Sequence, residues 1–387
     1  MTETTLDLEK TGPARAMVAP APRGRIPALD GLRGIAILLV LLWHAGFNDP
    51  FPGFWSSVFA FGRLTWSGVD LFFVLSGFLI GGILLDARDS TRYFRTFYVR
   101  RAFRILPLYG VITGLYVFWR LLTPSASVII PLISYPTFTQ NFWMAYFATW
   151  GGAGMAATWS LAVEEQFYLT IPLLVRKLTN ARLVWVLAFV VVGAPILRTL
   201  ILINFEHGRF ADYVLMPCRA DALCLGVLAA ILVRHQQAWG FVLAKRNWLR
   251  GISAGLLVSL EWLALEKYGW STTPMATFGY SLLALFYTCC LLMALIETGT
   301  VNRILCNRWL MGLGGIAYCV YLIHLPFFQA GDNLAAHLPV FSRFPIPYIV
   351  LALACRLLAV ILILAVAKLS WRFLERPLLL RGHAYKY

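Results

Sequence analysis

The chain has 387 residues, of which 60% are hydrophobic and only 13% are charged, and its mean hydropathy is +0.72. This balance excludes a soluble globular enzyme and indicates a polytopic membrane protein. A formal net charge of +15 also occurs in nucleic-acid-binding proteins. The basic residues of this chain, however, are distributed as a membrane topology requires, so we expect no nucleic-acid partner.

Ten apolar runs have about the 20 residues needed to cross the hydrocarbon core of a bilayer. They are residues 27–46, 66–86, 105–123, 158–175, 183–204, 217–233, 249–265, 275–296, 311–330 and 346–368. We predict an all-α transmembrane helical bundle of about ten spans, residues 27–377, between cytoplasmic tails at residues 1–26 and 378–387. The first tail is polar and contains prolines, so we expect it to be flexible and to hold no cleavable signal peptide.

Under this topology, most of the 33 lysines and arginines fall on the side that also holds the two termini. An excess of Lys and Arg marks the cytoplasmic side of membrane proteins. The charge distribution therefore predicts that both termini are cytoplasmic, and it supports the span count independently of hydropathy. We expect the protein to reside in a bacterial inner membrane.

The first span, ALDGLRGIAILLVLLWHAGF, contains two ionisable residues, Arg33 and His44. Eleven residues along an α-helix turn through about 1100°, so both side chains share one face and lie about 16 Å apart along the axis. Because ionisable groups in lipid are costly and normally face a bundle interior, this face predicts a functional cavity. The topology puts Arg33 toward the cytoplasm and His44 toward the outer surface.

Further ionisable residues lie at about the depth of His44 in later spans. They are Asp70 in span two, Glu164 and Glu165 in span four, Arg219 and Asp221 in span six, and His324 in span nine. Ser160, Glu164 and Tyr168 repeat at i, i+4 and i+8 and so form one stripe of a helix. Arg356 in span ten lies nearer mid-depth.

Each of these residues also has an ordinary structural explanation. Acidic residues are common near helix N-termini, Arg219 and Asp221 can pair with each other, and His324 can be a packed interfacial residue. Convergence at one depth nevertheless favours a polar cavity. A cavity with histidine and carboxylates suits general-base chemistry, because imidazole accepts a proton near neutral pH and a carboxylate can orient it.

Residues 92–109, RYFRTFYVRRAFRILPLY, precede and enter the third span and combine five arginines with aromatic residues. Arg101 and Arg104 stand three positions apart and share a helical face. Arginine's planar guanidinium binds phosphate oxygens well. Contact with anionic lipid explains any single arginine here, whereas the cluster, with Arg33 above it in the membrane, favours a polyanionic ligand.

The seven cysteines are scattered through apolar segments without a disulfide or metal-ligand spacing, and we expect them to be buried small hydrophobes. The two intramembrane histidines lack H-x-x-x-H partners, so we expect no metal. Ser76 in LSGFL lacks the glycine pattern of a hydrolase nucleophile.

Seven stretches, in order from about Arg25 to Pro377, resemble motifs of the acyltransferase-3 family of polytopic membrane acyltransferases. They are RIPALDGLRGIAILLVLLWH with its R-x10-H pattern, GVDLFFVLSGFLIGG, FYVRRAFRILPLY, TWSLAVEEQFYL, RADALCLGVLAA, IAYCVYLIHLPF and SWRFLERPL. The resemblance implies transfer of an acyl group, typically acetyl from acetyl-CoA, to a hydroxyl that most often belongs to a cell-envelope sugar. The chain ends soon after the last motif, so we expect no extracytoplasmic hydrolase-like domain of the kind some members carry.

The resemblance also implies roles for individual residues. His44 corresponds to the essential histidine and Arg33 to its paired arginine. The cytoplasmic arginines and the motif acids correspond to Arg101, Arg104, Glu164 and Glu165. Polyanionic CoA is then expected at the cytoplasmic mouth, while its phosphopantetheine arm, comparable in length to the offset between Arg33 and His44, presents the thioester near the histidine.

In the mechanism that this assignment implies, His44 removes a proton from the acceptor hydroxyl, and the alkoxide attacks the thioester carbonyl. We expect Asp70 or Glu164 to orient His44, and Arg219 or His324 to stabilise the oxyanion. An acyl-histidine intermediate is equally compatible with these residues.

Two other functions stay open from the sequence. Within the acyltransferase class, the acceptor can instead be a small natural product such as a macrolide. In a different class, a proton-coupled transporter or flippase would use Arg33, His44, Asp70 and Glu164 as its pathway, although no inverted repeat is visible in the sequence.

Overall fold

The structure, a computed structural model, describes residues 26–47, 60–123, 130–152, 154–264, 271–337 and 348–387. These residues form helices joined by short connections, and no β-strand occurs among them. The all-α prediction is therefore confirmed. The predicted N-terminal tail lies outside the described residues up to residue 25, so its expected flexibility stays a prediction.

Fifteen α-helices follow one another through the described ranges. They are α1 (Pro27–Leu42), α2 (Gly68–Asp86), α3 (Tyr93–Leu122), α4 (Gln140–Phe147), α5 (Thr158–Lys177), α6 (Asn180–Asn204), α7 (Gly208–Val214), α8 (Met216–Arg234), α9 (Gln236–Ala244), α10 (Arg246–Ala264), α11 (Tyr280–Ile296), α12 (Thr300–Leu305), α13 (Arg308–His337), α14 (Tyr348–Ser370) and α15 (Arg376–His383).

A π-helical turn, Trp43–Phe47, continues α1 and contains His44. Such turns are rare and occur frequently at functional sites. Within this turn Gly46 has a φ of 92°, a left-handed conformation that glycine adopts without steric cost. The regular path of α1 therefore ends immediately beside the histidine.

Eight of the described helical segments are long and apolar enough to cross a membrane, judged by length and composition. The predicted fourth and seventh spans also form helices, α5 and α10, but these are less apolar. Helix α5 carries Glu164, Glu165 and Gln166 in its middle. The polytopic membrane architecture is confirmed, whereas the count of ten spans and the cytoplasmic position of the termini stay predictions.

Helix α3 begins at Tyr93, well before the predicted start of the third span at residue 105. Its first turns are helical because Tyr93 and Phe97 bury their rings against the rest of the protein. The arginine-rich segment is thus part of the helix itself. Its continuous backbone holds Arg101 and Arg104 on one rigid face.

Close helix packing sets the frame of the site. Helix α1 packs along α13, and α2 packs along α8. A Cβ atom added at Gly34 would meet the carbonyl oxygen of Leu310, and one added at Gly77 would meet backbone of α8. Small residues allow helix backbones in membranes to approach closely. The close contact between Gly34 and Leu310 aligns α1, the helix of Arg33 and His44, with α13.

The C-terminal residues pack on the start of α3. Thr96 Oγ1 donates a hydrogen bond to the carbonyl of Lys386 at 3.0 Å, and Arg100 Nε donates to the carbonyl of Tyr385 at 2.7 Å. The predicted tail at residues 378–387 is therefore attached to the helix that supplies Arg101 and Arg104, since its backbone carbonyls accept from that helix.

Candidate active site

Two adjoining cavities are formed mainly by α1, α2, α5 and α13. The first, here called the arginine pocket, has a volume of about 110 Å³, and its lining includes Arg33, Ser76, Arg101, Arg104, Glu164, Tyr318 and Glu375. The second, the histidine pocket, has a volume of about 410 Å³, and its lining includes Trp43, His44, Trp66, Trp150, Trp159, Tyr213 and His324. Val69 and Tyr321 line both cavities.

The arginine pocket brings together three guanidinium groups from two helices. Arg33 comes from α1, and Arg101 and Arg104 come from the shared face of α3 that the sequence predicts. Against them the lining provides two carboxylates, Glu164 and Glu375. Clustered cations in a partly buried pocket repel one another and favour an anionic ligand. The pocket is therefore suited to a phosphate-bearing molecule at its mouth.

Both carboxylate oxygens of Glu164 are held by hydroxyl groups. Ser76 Oγ donates to Oε1 at 2.8 Å, and the Tyr168 hydroxyl donates to Oε2 at 3.0 Å. The guanidinium carbon of Arg101 lies 3.9 Å from the centroid of the Tyr168 ring, within cation–π range. Ser160 and Glu164 of the predicted stripe thus line the arginine pocket, and Tyr168 contacts one of its cations.

Glu165 lines neither cavity, and its Oε1 has no hydrogen-bond partner among the described residues. Successive side chains of a helix are rotated by about 100°, so Glu164 and Glu165 do not face the same cavity. The catalytic role predicted for Glu165 stays a prediction, without support from this geometry.

The histidine pocket holds two imidazoles in contact. The ring centroids of His44 and His324 are 4.6 Å apart in an edge-on arrangement. His44 Nδ1 lies 2.9 Å from the carbonyl oxygen of Val40, and His324 Nδ1 lies 2.6 Å from that of Tyr321. A carbonyl oxygen only accepts hydrogen bonds, so each Nδ1 carries the proton. Each neutral ring therefore presents Nε2 as a base.

The orientation of His44 differs from the sequence-based expectation. Asp70 and Glu164 were the carboxylates expected to orient it, yet no hydrogen bond or ion pair among the described residues joins either one to His44. The carbonyl of Val40, one turn earlier in the same helix, takes that position. The carbonyl of Val40 also accepts from the backbone N–H of Trp43, and its second lone pair accepts from the imidazole.

Aromatic side chains make up much of the remaining wall of the histidine pocket. Trp43 comes from α1's π turn, Trp66 precedes α2, Trp150 lies in the connection before α5, and Trp159 is in α5 itself. Tyr213 packs between them, with its ring centroid 4.7 Å from that of Trp159. A large cavity with aromatic walls and two convergent bases has the character of a small-molecule site.

Asp70 is buried beneath this site and forms an ion pair with Arg219 of α8. The Arg219 guanidinium also lies 4.0 Å from the ring centroid of Tyr280 and 5.3 Å from that of Tyr213. A buried carboxylate requires a counter-ion, and here α8 supplies it. Asp70 and Arg219 therefore lie behind the wall of the histidine pocket and are absent from its lining.

Arg219 and Asp221 do not pair with each other, so that explanation of the two residues is wrong. Asp221 accepts hydrogen bonds from Arg198 at 3.0 Å and from Ser281 Oγ at 2.6 Å. Positions two apart in a helix point in different directions, which sends the two charges to different partners. Arg198 is fully buried, and no sequence pattern predicts its pairing with Asp221.

Several lining residues escaped the sequence analysis. Glu375 stands inside the stretch SWRFLERPL, but its position after α14 gave no indication that it meets the arginines. The four tryptophans are spread over separate segments without a common spacing, and only the total of 14 tryptophans hints at them. Residues brought together by tertiary packing leave no periodic trace in the sequence.

Comparison with known proteins identifies a family and several bacterial relatives of this chain. A family model for an acyltransferase domain, Acyl_transf_3, matches residues 26–367. YrhL of Bacillus subtilis, provisionally named a peptidoglycan O-acetyltransferase, is 29% identical over an alignment 384 positions long, which covers 92% of this chain and 55% of that protein. The O-acetyltransferase OatA of Staphylococcus aureus is 24% identical over an alignment 388 positions long, which covers 92% of this chain and 58% of that protein. No solved structure matches the chain.

The chain thus spans little more than half the length of these curated relatives. The family match, however, covers most of the chain. It includes the arginine-rich face of α3 and the histidines of both helices that line the histidine pocket. Sequence and geometry agree that this membrane protein carries an acyltransferase domain, and the chain belongs to the acyltransferase-3 family.

Proposed function

We propose that this protein transfers an acetyl group from acetyl-CoA, bound from the cytoplasmic side of a bacterial inner membrane, to a hydroxyl of a cell-envelope carbohydrate on the outer side. The proposal depends above all on one observation, that the arginine pocket and the histidine pocket adjoin and share Val69 and Tyr321. One cavity suits an anionic donor and the other suits a hydroxyl acceptor beside a base. The name of YrhL supports a peptidoglycan-type acceptor.

The arginine pocket supports CoA as the donor. CoA carries several phosphate charges, and guanidinium groups bind phosphate oxygens in two-pronged fashion. In this proposal the nucleotide stays at the mouth, where Arg101 and Arg104 meet its phosphates. The narrow phosphopantetheine arm then extends past Arg33 toward Tyr321.

His44 acts as the general base in this proposal. Its Nε2 takes the proton of the acceptor hydroxyl, and the resulting alkoxide attacks the thioester carbonyl carbon. The tetrahedral intermediate collapses with cleavage of the C–S bond, and the thiolate takes up the proton from His44 to leave as CoA. Attack by His44 itself, through an acetyl-histidine, uses the same geometry and gives the same products.

Arg219 is the better candidate of the two for stabilising the oxyanion. His324 donates its Nδ1 proton to the carbonyl of Tyr321, so the neutral ring offers no donor to an oxyanion. Arg219 is paired with Asp70 through Nη2 only, and its Nε and Nη1 donors have no partner among the described residues. A preorganised cation near developing negative charge lowers the barrier. Its field acts across Tyr213, which separates Arg219 from the cavity.

The aromatic wall supports a ring-shaped acceptor. The flat faces of sugar rings carry C–H groups that pack well on indole rings, while their hydroxyls point to polar groups at the edge. Trp43, Trp66, Trp150 and Trp159 provide such faces around His44. Glu164 has a supporting role, because it holds Arg101 through Tyr168 and does not reach the acceptor.

The decisive experiment uses the purified full chain in lipid nanodiscs with acetyl-CoA and a soluble peptidoglycan fragment. CoA thiol release and the mass of the acetylated sugar are measured together. Wild type is expected to release CoA only when the acceptor is present, and His44→Ala is expected to lose transfer. His337→Ala is the matched control, because His337 makes the same kind of Nδ1 bond, at 2.7 Å to Asn333, on an exposed turn of α13.

Other outcomes contradict the proposal in distinct ways. Retained transfer by His44→Ala removes His44 from the mechanism. Acetylation of a macrolide but not of the sugar fragment changes the acceptor class. Substrate counterflow in vesicles without any CoA requirement supports a transporter instead. Mass spectrometry of surface glycans from cells with and without the gene identifies the natural acceptor.

A further inference from the structure

An ion pair outside both cavities contacts the backbone next to His44. Arg356 of α14 donates through Nε to Asp332 Oδ1 at 2.9 Å and through Nη2 to Oδ2 at 3.5 Å. Its Nη1 donates to the carbonyl oxygen of Ala45 at 3.1 Å. One guanidinium therefore connects α14, α13 and the π turn that follows α1.

The π turn has a glycine at the position that Arg356 approaches. Gly46 has a φ of 92°, and a Cβ atom added there would meet Nη1 of Arg356. Any side chain at this position would push the guanidinium away from Ala45 and would also strain the backbone. The glycine thus allows both the shape of the turn and the approach of the cation.

Arg356 also connects the π turn to α13, the helix that carries the second imidazole. Asp332 and His324 lie eight residues apart in α13, about two helical turns. Because Arg356 joins Asp332 to Ala45, it holds the end of α1 at a defined distance from the helix that carries His324. The ring contact between His44 and His324 depends on that distance.

We propose that Arg356, held by Asp332, is a positioning residue that sets the location of the His44 imidazole. This inference rests on the proposed function, in which His44 is the base. The last carbonyl groups of a helix lack partners inside the helix, and an arginine donor fixes one of them here. A catalytic base must lie within hydrogen-bond reach of its proton, and a displacement of about 1 Å costs up to about 100-fold in rate.

A purely structural role is the competing explanation, and the chain contains a matched control for it. Arg234 and Asp86 form an equally forked pair, with contacts of 2.8 and 2.7 Å, at the opposite end of the bundle. The side chains of Arg234 and Arg356 are both 32% exposed. Arg234 lines neither cavity.

The test compares Arg356→Lys, Asp332→Asn and Gly46→Ala with Arg234→Lys in nanodiscs. Lysine keeps the charge beside Asp332 but does not bond both Asp332 and Ala45. The first three variants are expected to lower kcat about tenfold or more while the KM for acetyl-CoA changes by less than about twofold, because the arginine pocket is untouched. The unfolding midpoints of Arg356→Lys and Asp332→Asn are expected to match that of Arg234→Lys, whereas that of Gly46→Ala is expected to fall because a methyl group strains the backbone there.

A second readout needs no turnover. Diethyl pyrocarbonate modifies accessible imidazoles, and peptide mass spectrometry gives the modification rate of His44 relative to His337. This ratio is expected to change in Arg356→Lys and Asp332→Asn but not in Arg234→Lys.

Three results would overturn the positioning role. These are wild-type kcat in both Arg356→Lys and Asp332→Asn, an equal loss of kcat in Arg234→Lys, and an unchanged His44 modification ratio. If wild type itself transfers no acetyl group, the proposed function fails, and the modification ratio alone decides whether Arg356 positions His44.

Discussion

The hydroxyl oxygen of Tyr321 lies 2.5 Å from Ser160 Oγ, at the place where the two cavities meet. The same hydroxyl donates to the carbonyl of Ala157 at 3.0 Å, so the phenol ring is tied to the start of α5. With Val69, the ring stands between the three arginines and the two histidines. In the proposed reaction, the acetyl group passes beside this ring.

Tyr321→Phe is expected to loosen this separation. Loss of the hydroxyl removes both bonds to α5, each worth about 1 kcal/mol, and lets the ring swing. Acceptor-independent release of CoA, measured as free thiol, is expected to rise because water then reaches the thioester. Tyr318→Phe is the control, since Tyr318 also bonds a backbone carbonyl, that of Ile105, but lines only the arginine pocket. Equal thiol release by the two variants would contradict the prediction.

Arg101→Gln and Arg104→Gln are each expected to raise the KM for acetyl-CoA about tenfold, because one charge-assisted hydrogen bond is lost. Initial rates at varied donor concentration give this value. Arg95→Gln removes an exposed arginine of the same helix outside the pocket and is expected to leave KM unchanged. If 3′-dephospho-acetyl-CoA abolishes the difference between wild type and a variant, that arginine binds the 3′-phosphate. An unchanged KM in both pocket variants argues against donor binding here.

Asp70→Asn is expected to destabilise the fold by about 3–5 kcal/mol, because it leaves Arg219 buried without its counter-ion. Asp86→Asn breaks an ion pair whose carboxylate side chain is 64% exposed and is expected to cost only about 0–1 kcal/mol. Denaturant titration in detergent micelles, followed by tryptophan fluorescence, compares the two. Similar midpoints would show that Asp70 and Arg219 do not stabilise the bundle.

Gly34→Ala is expected to destabilise the protein by about 1–3 kcal/mol, because the new methyl group presses on the backbone of α13 at Leu310. Since Arg33 is the next residue, the shift is also expected to raise the KM for acetyl-CoA. In Gly312→Ala the methyl group meets nothing within 4 Å, so no loss is expected. Thermal unfolding and donor kinetics test both variants, and equal stability of the two would contradict tight packing at Gly34.

Sequence periodicity was sufficient for the parts of the site that lie along single helices. The shared face of Arg101 and Arg104 and the stripe through Glu164 follow from 3.6 residues per turn. His44 lies in the π turn, where the period of the α-helix no longer holds. The structure brings the three arginines into one cavity and the two histidines into another. The face on which a residue lies can be predicted from sequence because it depends only on the spacing of residues within one helix.

Partnerships between helices were not predictable in the same way. The sequence predicts Asp70 beside His44 because both lie at one depth in the membrane. Depth does not give the direction in which a side chain points around its helix axis, and Asp70 points to Arg219 of α8 instead. Arg356 stood out only as a charge in span ten, and its contacts with Asp332 and Ala45 depend on the π turn. A change of helix type at Trp43–Phe47 is invisible to a pattern of apolar residues.

The side chains of Val69 and Tyr321 also bear on how the cell keeps its membrane sealed. In the proposed reaction only a two-carbon unit travels the width of a phenol ring, while the nucleotide stays on its own side and the glycan on the other. The cell therefore does not need to export acetyl-CoA, which would deplete the cytosolic pool. In the same proposal, Val69 and Tyr321 keep protons and ions from moving between the two cavities, so acetylation does not discharge the membrane potential.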